Sequence, residues 1–195
     1  SRSSAASDVY KRQILVHAAA GGVGLILCQW AKALGCTVIG TVGAPEKAEL
    51  ARAHGAAHVI LPDEDLPQRV KEITGGAMLP VVYDSVGKDT FMASLDCLAP
   101  LGTMVTYGNA SGPVPPVDPG LLAAKGSLFL TRPTLSTYTA KRADMVASAN
   151  SLFEAVETGK VEIVVNQHWP LHDAAEAHRA LEARRTMGST VFIPG

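Results

Sequence analysis

No apolar run in the 195 residues approaches the roughly 20 that a membrane-crossing helix needs, which argues against a membrane-embedded chain. Charge of one sign is also missing. Seventeen basic residues meet 18 acidic ones for a net charge of −1, so no electrostatic argument favours nucleic acid or an anionic membrane as partner. Cysteine is scarce. Cys28, Cys36 and Cys97 are odd in number, far apart and without metal-ligand spacing, so they read as buried thiols in a reducing, cytoplasmic setting. The six histidines, His17, His54, His58, His168, His172 and His178, form no ligand pair. No Ser-His-Asp assignment is supported, and Ser85 lacks a nucleophile-elbow context. With 47% hydrophobic and 18% charged residues, the chain can bury the core of one ordinary globular domain.

The most informative stretch is Gln13 to Gly35. Ile14-Leu15-Val16 predicts a short buried parallel strand, Leu25 to Leu34 a helix, and Gly35 its C-terminal cap. Between them Ala19-x-Gly21-x-x-Gly24 matches the dinucleotide-binding fingerprint, with alanine at the first glycine position. The chain should turn sharply near Ala19. Without Cβ atoms, Gly21 and Gly22 let backbone approach a pyrophosphate, and Gly24 lets helix pack close to strand. The free N–H groups and positive end of that helix would face the phosphates, with Gly22 and Val23 counted among the cofactor-binding residues just ahead of it. A glycine-rich turn with no ligand is the plain alternative; the strand before and helix after favour the nucleotide.

Beyond Gly35, strands are predicted at Cys36 to Thr41, His58 to Leu61, Pro80 to Asp84, Thr103 to Tyr107 and Ser127 to Thr131. Helices are predicted at Pro45 to His54, Leu66 to Thr74 and Asp89 to Leu98. The tail reads as helix over Ala140 to Thr158, extended over Val164 to Trp169, helix over His172 to Arg184 and strand over Thr190 to Ile193. This alternation predicts an α/β fold, a doubly wound parallel sheet of the Rossmann type. Gly108 to Gly120 holds four prolines and can be neither helix nor central strand. It follows the carboxyl end of the fifth strand, where open parallel sheets bind ligands.

About 20 residues past the glycine turn an NAD-selective fold usually places Asp or Glu. Here Thr41-Val42-Gly43 stands instead, with room for a 2′-phosphate and Lys47 near enough to neutralise it, so NADP is expected over NAD; a solvated helix lysine is the alternative. Asp84, at a strand end, could be a general base or could cap the following turn; positioning is the favoured role. His17 reads as a satisfied core histidine beside the turn.

VHAAAGGVGLILCQWAKALG, GTVGAPEKAELARAHGA, VVYDSVGKDTF, YGNASGP and RRTMGSTVFIP, in that order, resemble the NADPH-dependent quinone oxidoreductases (zeta-crystallin-like), a zinc-independent branch of the medium-chain dehydrogenase/reductase superfamily. The resemblance covers about Gln13 to Pro194. It implies NADPH as cofactor, a small-molecule quinone or enone as substrate, and a homodimer of the full-length enzyme through the edge strand near Ser127 to Thr131. It also implies that Val86 lies near the cofactor and that Gly108, Asn109, Ala110, Ser111 and Gly112 run along its nicotinamide end. Arg184 becomes a second phosphate neighbour. An enoyl or alkenal reductase, or a non-catalytic NADPH-binding crystallin-like protein, would share these motifs. One departure weakens the phosphate site: Leu61-Pro62 replaces the family's Asn-Tyr, and the following loop is one residue short. The implied organisation is a foreign leader over 1–12, a cofactor domain over 13–160, and a segment over 161–195 that packs on a catalytic domain preceding this chain. No catalytic residue is expected within the chain itself.

Overall fold

The computed structural model describes residues 13–195; the expected leader over 1–12 lies outside the described residues. Gln13–Val16 forms β1, Thr37–Thr41 β2, Ala56–Ile60 β3, Leu79–Asp84 β4, Leu98–Thr106 β5 and Phe129–Thr131 β6. All pair in parallel, in the order β3-β2-β1-β4-β5-β6. This is the doubly wound order, and it reverses direction between β1 and β4, leaving a crevice at the carboxyl ends of those strands.

Side-chain alternation along β1 explains why Ile14-Leu15-Val16 is apolar without a break. Leu15 joins one core with Ile39, Val82 and Met104, covered by α3 (Leu66–Ile73) and α4 (Phe91–Asp96) through Val70, Phe91 and Leu95. Ile14 and Val16 join the opposite core with Val38, covered by α1 (Gly22–Ala33) and α2 (Ala48–Ala53) through Cys28, Ala31, Ala48 and Ala51. A strand buried on both faces has no polar side to show. Burying a side chain such as Leu15, fully inaccessible here, contributes about 1.5–3 kcal/mol.

The remaining elements are α5 (Pro119–Ala124), α6 (Leu135–Tyr138), α7 (Arg142–Glu157), β7 (Val165–Pro170), α8 (Ala174–Glu182) and β8 (Ser189–Ile193). β7 and β8 form a separate parallel pair. Among the described residues no helix is long and apolar enough to cross a membrane.

Gly35 takes φ +82°, its N–H bonding Lys32 O while Cys36 N reaches back to Ala31 O, so α1 ends as its glycine predicts. Several boundaries differ from expectation. The fifth strand begins at Leu98 rather than Thr103, because Leu98 pairs with Leu79 ahead of a register shift, a pairing that Pro100 and Gly102 disguise in the sequence. The preceding helix therefore stops at Asp96. Pro45–Lys47 is a 3-10 turn before α2 rather than α-helix. Pro119 and Gly120 open α5, capped by Asp118, instead of closing the loop. The four-residue α6 lacks a periodic signal and was not expected.

Candidate functional site

The turn after β1 is held from both sides. Ala18 takes the left-handed φ of +52°, Gly21 N bonds Ala18 O at 2.9 Å, and Ala19 N bonds Thr41 O at 2.9 Å, tying the turn to β2. The sharp turn therefore falls one residue earlier than the spacing suggests. A Cβ on Gly24 would lie 2.2 Å from Ala18 O and 2.9 Å from Ala19 Cα, so helix and turn touch backbone to backbone there. Gly22 faces the tail of the chain: a Cβ would meet Ser189 Oγ at 3.0 Å and Gly188 O at 3.3 Å. Gly188 N in turn bonds Ala20 O at 2.8 Å, and Gly21 and Gly188 form a bridge. Val23 is mostly exposed. The first turn of α1 has no side-chain cap, which leaves donors and the positive dipole end available to an anion.

A cleft of about 580 Å³ opens at the carboxyl ends of β1, β2 and β3. Of the expected site residues, Gly21, Thr41, Gly43, Lys47, Val86, Ala110 and Arg184 line it; Gly22, Val23, Gly24, Gly108, Asn109, Ser111 and Gly112 do not. The 108–112 loop is instead laced to the β4–α4 turn. Ser111 N and Oγ both bond Val86 O, at 2.8 and 2.9 Å, Lys88 N bonds Gly112 O, and Asn109 O accepts from Gly112 N. Gly108 packs directly on the Ser85 backbone.

Lys47 lines the cleft but is engaged. Its Nζ donates to Arg184 O at 2.6 Å and Thr186 O at 3.0 Å, using two of its three donors. Arg184, at φ +57°, and Thr186 belong to the same wall. The Leu61-Pro62 departure also lies in the cleft, together with Glu64, which sequence reasoning missed. The Glu64 carboxylate accepts from Leu61 N at 2.6 Å and pairs with Arg69 Nε at 2.8 Å, so the shortened loop folds around its own acid.

Asp84 is fully buried and accepts four hydrogen bonds, from Val86 N, Gly87 N, Thr90 Oγ1 and Ser94 Oγ. It organises the turn and the start of α4, the capping alternative given above, and its four acceptor sites are occupied. His17 is buried between Thr41 Oγ1 and Ser94 Oγ, each 2.9 Å away. Burial lowers its pKa below the ordinary 6.5, the Asp84 charge opposing. Although Ser94, His17 and Asp84 are neighbours, Ser94 sits between the other two and donates to the acid, so it is no activated nucleophile. Burial pushes the Cys28 and Cys97 thiols up to about 12. Among the described residues no three of His, Cys, Asp or Glu gather as a metal would require. The cleft thus offers cations and helix-end donors at one side, with Glu64, Asp89 and threonine hydroxyls among otherwise apolar walls, a mixed lining that can hold an extended anion with polar ends.

Comparison with known proteins agrees with this geometry. A quinone oxidoreductase of Pseudomonas aeruginosa is 57% identical over 182 residues, 93% of this chain and 56% of that protein. The crystal structure of Escherichia coli quinone oxidoreductase complexed with NADPH superposes with a TM-score of 0.91 at 52% identity, over 94% of this chain and 57% of that one. A 2-haloacrylate reductase of a Burkholderia species is 47% identical, over 93% of this chain and 55% of that protein. The chain therefore spans a little over half the length of the relatives it matches. The family model described as zinc-binding dehydrogenase matches residues 22–155, from the helix after the glycine turn, through β2 to β6, to the end of α7; the chain belongs to that family.

Proposed function

We propose that the chain is the NADPH-binding part of a zinc-independent quinone oxidoreductase. The observation that carries this reading is the cation pair: Lys47 and Arg184 line one cleft, while the end of β2 offers Thr41-Val42-Gly43 where an acid would read a free 2′-hydroxyl. That arrangement suits a 2′-phosphate. The uncapped first turn of α1 beside Gly21 suits the pyrophosphate, and Val86 and Ala110 suit the far end of the dinucleotide. Gly43, whose Cβ position has no neighbour within 4 Å, leaves open space beside Lys47. Once bound, the nicotinamide supplies the hydride; the chain's own residues hold the phosphates, aim the ring and keep one side of the cleft dry.

The family's description names zinc, but the residues described here do not fit it. Cys28 and Cys97 are buried with thiols held protonated, and no ligand cluster forms. No metal site is proposed among the described residues. Because the chain spans only 56% of its quinone oxidoreductase relative, the groups that hold the acceptor are assigned to a preceding catalytic domain. Residues 13–160 then form the cofactor domain, and 161–195 meets the catalytic domain as well as the glycine turn. β6 exposes its edge and Phe129, and is proposed as the homodimer contact. The free buried cysteines fit a cytoplasmic setting.

Titration of the 195-residue chain with NADPH and NADH tests the reading; NADPH should bind more tightly, and equal affinities would overturn it. The similarity to 2-haloacrylate reductase favours an enoyl-type reductase as the second reading. NADPH oxidation by the full-length enzyme with 1,4-benzoquinone, with an enone and with no acceptor separates the two.

A further inference from the structure

A buried line of hydrogen bonds runs beneath the glycine turn and ends at the cleft. The Asp84 carboxylate accepts from Val86 N and Gly87 N at 2.7 and 3.0 Å, and from Thr90 Oγ1 and Ser94 Oγ at 2.7 and 3.0 Å. A carboxylate has only lone pairs to offer, so the single hydroxyl proton of Ser94 is committed to it. His17 Nε2 lies 2.9 Å from Ser94 Oγ. With the serine proton turned away, that oxygen can only accept from His17, so Nε2 carries the hydrogen. His17, 1% exposed in the core, is neutral, and its Nδ1 is then a bare lone pair. Nδ1 lies 2.9 Å from Thr41 Oγ1, so the threonine proton points inward to the imidazole. Thr41 lines the cleft, and with its proton committed to His17 its hydroxyl has only lone pairs to offer a ligand there.

We propose that Thr41 is a one-way acceptor in the cleft, taking a hydrogen bond from the adenosine ribose 3′-hydroxyl of the bound nucleotide, the hydroxyl that a 2′-phosphate leaves free. His17, Ser94 and Asp84 are positioning residues that set this polarity without touching the ligand. The inference rests on the nucleotide-binding reading and deepens it: the sugar hydroxyl is placed at the end of β2, and the phosphate is left to Lys47 and Arg184. The same carboxylate that sets Thr41 also holds the N–H groups of Val86 and Gly87, so one chain of hydrogen bonds ties the sugar end of the cleft to the β4–α4 turn.

Two measurements on the 195-residue chain test it. Nitrogen-15 NMR of the histidine side chains in the unliganded protein at neutral pH should show His17 as the Nε2–H tautomer. An Nδ1–H tautomer or an imidazolium would overturn the relay, whatever the protein binds. Titration with ADP, 2′-deoxy-ADP and 3′-deoxy-ADP should show 3′-deoxy-ADP bound roughly 3–10-fold more weakly than ADP, and a loss confined to 2′-deoxy-ADP would overturn the assignment, because that position carries the phosphate in NADPH. Thr41→Val, close to isosteric, should bind ADP and 3′-deoxy-ADP equally, and Thr41→Ser should restore the difference. ADP binding with no discrimination, or discrimination that survives in Thr41→Val, sinks the ribose assignment while leaving the nucleotide site standing. If neither ADP nor NADPH binds, the assignment and the nucleotide reading fall together, and the tautomer still judges the relay by itself.

Discussion

Lys47 donates to the backbone carbonyl of Arg184 across 137 positions of sequence, so the two cations expected at the 2′-phosphate form one mechanical unit. Lys47 places the segment that carries Arg184 and keeps a third donor for the ligand. Replacing Lys47 by Ala should weaken NADPH by about 1–2 kcal/mol and leave NADH nearly unchanged. It should also raise hydrogen exchange at residues 184–189. Equal losses for both cofactors in a titration would show that Lys47 reads no phosphate.

Gly24 tolerates no side chain. A valine there meets the Ala18 carbonyl and the Ala19 Cα, both backbone, so α1 must move away from the turn that follows β1. Overpacking of this kind costs about 1–3 kcal/mol, and the displaced helix carries the anion-facing donors with it. Gly24→Val should lower the melting temperature and abolish NADPH binding. Cofactor affinity equal to wild type would refute the contact.

The stability of the chain should fall in acid through His17. Burial depresses its folded pKa below 6.5, so the unfolded state takes up the proton first. The contribution is present in full above about pH 6.5 and is lost as pH drops toward the folded value. Urea unfolding of wild type and His17→Gln between pH 5 and 8 checks the sign. The wild-type curve should fall more steeply toward acid, and identical pH slopes would contradict it.

Quinone turnover should need more than these residues. The chain spans 56% of its quinone oxidoreductase relative, and the described cleft supplies one wall, with Val86 and Ala110 at its far end. Holding an acceptor against a nicotinamide is worth roughly 7–11 kcal/mol in favourable cases. The 195-residue chain should therefore show no quinone-dependent NADPH oxidation above a buffer blank. Turnover at an ordinary enzyme rate, roughly 1–1000 per second, would place a complete active site within it.

What could be read from the sequence was local or periodic. The β1-turn-α1 unit follows from Ile14-Leu15-Val16, three glycines and an apolar helix, all within 23 residues. The parallel sheet follows from alternation of strand and helix. What could not be read was set by distant backbone. No side-chain pattern announces that Lys47 will find the carbonyls of Arg184 and Thr186, or that Gly22 is small because Ser189 packs against it. Glu64 enters the cleft because the short loop after β3 turns back on its own amide at Leu61, a matter of loop geometry rather than residue type. The early start of β5 was hidden because Pro100 and Gly102 look like the end of an element, while the ladder resumes beyond them.

The bond from Gly188 N to Ala20 O has a consequence in time. During synthesis the glycine turn emerges long before the segment that leans on it. At roughly 5–20 residues per second, the wall bearing Arg184 follows on the order of 10 s later. The parallel sheet can close in that interval, while the phosphate end of the cleft has no second cation. On the proposed placement of the phosphates, cofactor would brace a sheet already formed, and a cut between residues 160 and 184 should leave a folded sheet that holds the dinucleotide more weakly.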